Sequence, residues 1–434
     1  MKEFLLNLKR EFNSPRGIVS SSNEKLNNLI SEEIPFKTIS FKSGSKVDAW
    51  VVPDAWELKS SKLIINSEKV NLDNIPLFVP FGTESFSLVG KLNELKDIIQ
   101  TIPNQPLATP YRTNYYSPKN KMVCLPFYIL KDKKEESICE IEVKSNTYKS
   151  DMQIKEICLK GKSKNEILLT AYNCHPGLGN DNFSGIIGLC YLYKKISQIK
   201  NRHYTYRFAF FPETIGAIFY INYLSINNLL KNIIVHKVLT CLGGTENNYS
   251  LKESKIYSKY VESFKYQIKK LIPNLKIEEY KPDGSDERQF SSPNVAIPSF
   301  SLCRNRYYDF SQYHTSQDTF TYMNENNVIK TSEYIYEALI NLDNELRLPK
   351  SVALFGEPHL SSYNINFNGG GSYNPKYIDE NNKRKRCVME LISFSDGSKS
   401  KDEITNLISE KLGIDLSYVD HVLVELIDKG VIFL

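Results

Sequence analysis

The sequence predicts an α/β sandwich built on a mostly parallel sheet. Three observations carry that expectation. From about 125 to 345, strand-like runs alternate with runs of helical period, the signature of successive strand–helix units. The chain has 434 residues, enough for two or three domains with a full core, and its 41% hydrophobic and 24% charged residues are ordinary for a globular protein. No window approaches 18 apolar residues, so a membrane-spanning helix is not expected.

Taken in order, residues 1 to 35 read as one or two helices. From 36 to 120 the texture changes to short β-rich runs, "FKTISF", "DAWVVP", "KLIIN" and "LFVPF", separated by turn residues, which predicts an inserted small β domain. Residues 121 to 350 hold the main domain. There "QIKEICLKG" and "EILLTAYN" read as paired strands around the turn "KSKN". "SGIIGLCYLYKKI" is helical, "TYRFAFFP" a strand, "AIFYINYLSINNLLKNI" a helix and "KVLTCLG" a strand. "ESKIYSKYVESFKYQIKKL" is a helix, "AIPSFSLC" a strand and "VIKTSEYIYEALINL" the closing helix. Residues 351 to 382 read as a linker, because "NFNGGGSYNPKYIDENN" is rich in Gly and Asn. In 383 to 434, helix, short turn, Ser-capped helix, helix and β end predict a winged helix.

Charge and cysteines narrow the function classes. A net charge of +5 is small for this length and gives no global reason to expect nucleic acid. The tail from Cys387 onward carries four Lys against nine Asp and Glu, which opposes phosphate contact and points the winged helix toward protein contact. "KRKR" just before it reads as a solvated linker edge. The eight cysteines are scattered without a CxxC, as reduced core residues are. The N-terminus lacks the continuous apolar stretch of a signal peptide, so a cytoplasmic protein is expected. A homo-oligomer stays open.

Sites in open α/β sheets form at the C-terminal ends of the strands. That rule selects four loops, which hold His175 with Asp181, Glu213, Cys241 and His314. Two histidines, an aspartate and a glutamate on one sheet edge form a nitrogen and oxygen donor set suited to zinc. Cys174 beside His175 raises a thiol nucleophile as an alternative. Strand alternation argues against it by turning the two side chains to opposite faces. "NDNFSG" also reads as a helix cap. His203, His236, His359 and His421 read as surface polar groups.

The stretches "CHPGLGNDNFSG", "FPETIGAI", "GSDERQF" and "YHTSQDT" resemble the M28 family of zinc aminopeptidases. Nearly the whole chain more closely resembles an aminopeptidase-like group known mainly as domains of unknown function. That group carries a β-rich insertion and a C-terminal winged helix, and gene context links it to bacterial surface polysaccharide synthesis. The resemblance implies a three-layer aminopeptidase-like sandwich (phosphorylase/hydrolase-like). It implies His175, Asp181 and His314 as metal ligands, Glu213 as general base and Asp286 as a residue that orders the site. Two positions depart from the family pattern. Thr214 stands where a second glutamate ligand is usual, and "VLTCLGG" stands where an aspartate ligand is usual, with a Cys241 thiolate the remaining candidate there. The reading that follows is a single zinc and a metallo-aminopeptidase-like hydrolase acting on a small peptide or an aminoacyl or N-acyl group. The alternative is a catalytically degenerate scaffold. Arg288 either binds a substrate carboxylate or pairs with Asp286, and Arg112 either faces the cleft or forms a structural corner.

Overall fold

The computed structural model describes residues 2–115, 120–345, 348–367 and 380–434, and it divides into two compact units, Met1–Ala338 and Leu339–Leu434. Residues 368–379 of the expected 351–382 linker, like Tyr116 of "PYRTNYY", lie outside the described residues.

The first unit opens with helices α1 (Lys2–Arg10) and α2 (Ser21–Glu33). Ser20 caps α2 by accepting a hydrogen bond from the Asn23 amide at 3.1 Å. The strands that matter for the site follow: β1 (Lys37–Lys42), β2 (Ala55–Ile65), β3 (Phe86–Lys91), β4 (Ile138–Tyr148), β5 (Asp151–Leu159) and β6 (Glu166–Tyr172). Next come α3 (Ser184–Ser197), β7 (Thr205–Phe211), α4 (Ile215–Ile226), β8 (Ile233–Val238) and β9 (Tyr249–Lys252). Then come α5 (Lys259–Leu271), β10 (Lys276–Glu278), the short α6 (Glu287–Phe290), β11 (Ser299–Arg304) and α7 (Glu325–Glu345), within which the first unit ends.

Eight strands form the main sheet in the order β1-β5-β7-β6-β8-β11-β9-β10. Its centre, β7-β6-β8-β11, is parallel, and antiparallel strands flank it. Every residue of β6 and β7 is buried, as in parallel strands covered by helices on both faces. Burying charge there requires pairing. Arg207 on β7 bonds Glu166 on β6 at 2.6 Å and Glu156 on β5 at 2.8 Å, and the Tyr220 hydroxyl donates to Glu156 at 2.6 Å. Helix α3 lies close against the sheet because residue 185 is glycine. A Cβ there would stand 2.1 Å from the Leu239 carbonyl oxygen.

Several expectations need correction. Strands β5 and β6 are not partners, because β7 lies between them. The connecting residues instead bond the segment that enters β7, with Lys162 and Ser163 donating to the carbonyls of Arg202 and His203. "LFVPF" forms no strand. Pro76 and Pro80 lack the amide a ladder needs, and Leu77 has φ +65°. The strand read as "KVLTCLG" begins earlier, at Ile233, and ends at Val238, so Thr240 and Cys241 lie in the loop beyond it. Strands β9 and β10 went unread. The small sheet, in the order Glu68–Lys69, β2, β4, β3, reaches to Tyr148, whereas β1 belongs to the main sheet. The expected bounds 36–120 therefore do not coincide with the sheet.

In the second unit, β12 (Lys350–Ser351) pairs antiparallel with β13 (Ile432–Phe433), and helices α8 (Glu380–Phe394), α9 (Lys401–Leu412) and α10 (Leu416–Asp428) lie between them in the chain. Ser400 and Glu403 form a reciprocal capping box at the start of α9. Lys383–Arg386, expected at a linker edge, are helical, and Arg384 bonds Glu425 on α10 at 2.6 Å. Among the described residues, no helix is long and apolar enough to cross a membrane.

Candidate metal centre

The C-terminal ends of β6, β7, β8 and β11 all open on one edge of the sheet, since these strands are mutually parallel. Strand β6 stops at Tyr172, and the buried loop 173–183 carries His175 and Asp181. A second loop after β11 brings His314, whose backbone has φ +52°. Ligand atoms of His175, Asp181 and His314 all lie within 4.8 Å of one another. His314 Nε2 is 3.1 Å from Asp181 Oδ2, and the two imidazole centroids are 5.7 Å apart. Tyr111 packs its ring 5.1 Å from each histidine, and its amide donates to the His314 carbonyl at 2.8 Å. Tyr313 stacks on His314 at 4.0 Å.

The electrostatics of the cluster follow from burial and proximity. Burial pulls the His175 imidazole down to about 4, so it is neutral at neutral pH. Burial alone would raise Asp181. The two histidines and the Tyr172 hydroxyl outweigh it and hold the carboxyl down at about 2. A neutral imidazole and an ionised carboxylate are the forms that ligate metal. Two imidazole nitrogens and one carboxylate oxygen at this spacing fit zinc and leave a position open.

Around the three sits a ring of supports. The Tyr172 hydroxyl donates to Asp181 Oδ1 and, 2.7 Å away, accepts from Thr240 Oγ1. Arg16 Nη2 donates to the His175 carbonyl at 2.7 Å. Glu213, after β7, places Oε2 3.8 Å from His175 Nε2 and keeps a quarter (25%) of its side chain exposed. Burial, then the charges of Asp286 and Asp181, push the Glu213 carboxyl well up from its ordinary range. Asp286 is buried and accepts the Thr214 amide at Oδ1, 2.7 Å, while its Oδ2 has no hydrogen-bond partner among the described residues. Arg288 Nη2 donates to Thr214 Oγ1 at 3.2 Å, one residue from Glu213. Arg112 is exposed and folds its Nη1 back on the Tyr111 carbonyl at 3.0 Å, so no contact of its guanidinium with the cluster is seen.

Three side chains stand differently from the sequence reading. Cys174 does not turn away from His175. The chain has left the strand at Tyr172, so alternation no longer applies, and Sγ lies 3.5 Å from His175 Nδ1. The same sulfur accepts the Glu213 amide at 3.3 Å. Burial pushes its thiol well up from the ordinary range, which keeps it protonated and a poor nucleophile. Cys241 is not among the converging ligand atoms. It packs in an aromatic cluster with Tyr307, Phe310 and Tyr322, and burial raises its thiol as well. His236 is a fully buried core residue held by Thr170 at 2.8 Å and Ser299 at 2.6 Å, not a surface group. The residues that escaped the sequence reading are Arg16, Tyr172 and Asp318, whose carboxylate accepts the Asn180 and Asp181 amides. Of these only Asp318 left a signal, inside "YHTSQDT".

The sheet has an aminopeptidase-like fold, with three metal-ligand side chains converging at the C-terminal edge of its parallel strands. A domain of unknown function, DUF4910, matches residues 7–345, and the chain belongs to that family. It is 32% identical over 403 residues to a Clostridium acetobutylicum protein, covering 89% of this chain and 86% of that one. That relative is provisionally described as a polysaccharide biosynthesis protein with an aminopeptidase-like domain. A crystal structure of a provisionally assigned peptidase from Clostridium acetobutylicum superposes with a TM-score of 0.76 at 27% identity, over 100% of this chain and 96% of that one. The zinc aminopeptidase BSAP of Bacillus subtilis superposes at 0.58 with 15% identity, over 78% of this chain and 94% of that one. A peptidase M28 precursor of Shewanella amazonensis gives 0.56 with 13% identity, over 79% and 92%. The last two comparisons speak to the fold alone.

Proposed function

We propose that this chain is a zinc-dependent hydrolase that cleaves an amide bond, with a single ion held by His175, Asp181 and His314. The observation that carries the reading is the convergence of those three side chains from two loops that are far apart in sequence. When bound, zinc would supply carbonyl polarisation and acidified water. Glu213 takes the proton of the attacking water at Oε2. Its raised pKa suits it to return that proton to the leaving amine. Asp286 holds the turn behind Glu213 through the Thr214 amide and is a positioning residue. Arg288, beside Thr214, is the residue we assign to a substrate carboxylate, with Arg112 as an outer contact.

Two features of the chain's own groups support one ion rather than two. The Tyr172 hydroxyl occupies Asp181 Oδ1, and neither Thr214 nor Thr240 offers a carboxylate for a second site. For substrate, the fold favours a peptide. The Clostridium acetobutylicum relative's description extends the choice to an aminoacyl or N-acyl group on a sugar. The C-terminal helices and their β end serve as a winged helix for protein contact, in keeping with the acidic tail.

The test is amine release from aminoacyl anilides and N-acylated amino sugars by zinc-loaded protein, with Glu213→Gln as control. Turnover abolished in the variant supports the reading, and no turnover of either class by the wild type rejects it. The second reading, a degenerate binding protein, is favoured by the same lack of carboxylates at Thr214 and Thr240 and would then stand.

A further inference from the structure

We infer that Asp318, which supplies no ligand atom, positions Asp181 and so decides whether the three-residue cluster can close. Asp318 is fully buried. Its Oδ1 accepts the Asn180 amide at 2.7 Å, and its Oδ2 accepts the Asp181 amide at 2.9 Å. Its carbonyl accepts the Gly179 amide at 2.7 Å. Three successive amides therefore dock on one residue. The fit is close enough to require glycine at 179, where a Cβ would stand 2.4 Å from the Thr319 carbonyl oxygen.

The consequence lies in where Asp318 sits. It is in the turn that carries His314, with its amide bonded to the Thr315 carbonyl at 3.1 Å. The clamp thus ties the backbone of one ligand to the turn that presents another. Asp181 needs such a tie because its loop is neither strand nor regular helix, with φ −115° and ψ 80° at Asp181 itself. From the other side, Asn180 is held by Gly243, whose amide donates to its Oδ1 at 2.8 Å. A carboxylate suits position 318 because it accepts at both oxygens. Asparagine has the same shape but would set an N–H donor against one of the two amides.

The inference rests on the metal reading, and the experiment separates the two. Wild type, Asp318→Asn and Gly179→Ala are compared in zinc affinity, in the visible spectrum of the cobalt(II) form and in amide hydrogen exchange. The Gly179 variant opens the same clamp without touching Asp318. In both variants we expect at least tenfold weaker zinc binding, an altered cobalt spectrum and at least tenfold faster exchange at 179–181. Exchange in β6 and β7 should stay at the wild-type rate, which verifies the fold. A residue that merely filled space would be replaced by asparagine without these changes. Wild-type zinc affinity and wild-type exchange in Asp318→Asn would overturn the inference. Absence of zinc from the wild type would instead reject the metal reading, and exchange at 179–181 would still decide the clamp.

Discussion

His314 Nε2 stands 3.1 Å from Asp181 Oδ2, on the open side of the sheet, with 35% of the His314 side chain exposed and only 3% of that of Asp181. One partner faces solvent and the other is anchored beneath it, so the exposed imidazole can be removed with little harm to the core. Protein prepared without chelator should carry about one equivalent of zinc. His314→Ala should lose most of it while its thermal midpoint stays close to that of the metal-free wild type. Elemental analysis beside a melting curve checks this, and an unchanged zinc content in the variant would contradict the ligand assignment.

Glu213 stands at the rim of the cluster, with Oε2 3.8 Å from His175 Nε2. A general base of this kind contributes roughly 10²- to 10⁴-fold to a rate. Glu213→Gln should therefore lower kcat by about that factor on any substrate the wild type turns over, with zinc content retained. A variant that loses zinc and activity together would make Glu213 a ligand instead.

Lys237 is a buried lysine with no ion-pair or hydrogen-bond partner among the described residues. It is fully buried and lies between the rings of Phe300 at 5.1 Å and Phe264 at 5.5 Å. Burial lowers its pKa from 10.5 to about 7. Between those two values the unfolded chain binds a proton that the folded chain does not, so stability rises with pH across that window. Below pH 7 the folded state bears the full cost of the buried charge. Lys237→Met should be more stable than wild type at pH 6, by on the order of a few kcal/mol, with the gap shrinking toward pH 10. Urea unfolding at both pH values measures it, and a pH-independent gap would contradict the sign.

Arg207 bridges Glu166 and Glu156 within the sheet. Arg207→Met would leave both carboxylates buried and unpaired, at a cost of about 3–5 kcal/mol. Replacing all three residues by apolar ones of similar volume should recover much of that loss. Denaturant midpoints of the single and triple variants test the pair of expectations, and an undisturbed single variant would show that water reaches these groups.

Much of this protein was legible in its chain because its signals are local. Apolar periodicity marked α3, α4, α5, α7 and strands β6, β7 and β11. The signatures around His175, Asp181, Glu213 and His314 each sit within a few residues. What the chain by itself could not decide was which distant pieces meet. Strand β7 entering between β5 and β6 is a long-range pairing, chosen by burial and by the Arg207 carboxylate bridge. Cys174 faces His175 because the backbone leaves the strand one residue after Tyr172, which no pattern of period two announces. Tyr172, Thr240 and Asp318 become supports of Asp181 only when three loops converge. A hydrogen bond of 2.7 Å is a property of space, and the loops that form it here are far apart in the chain.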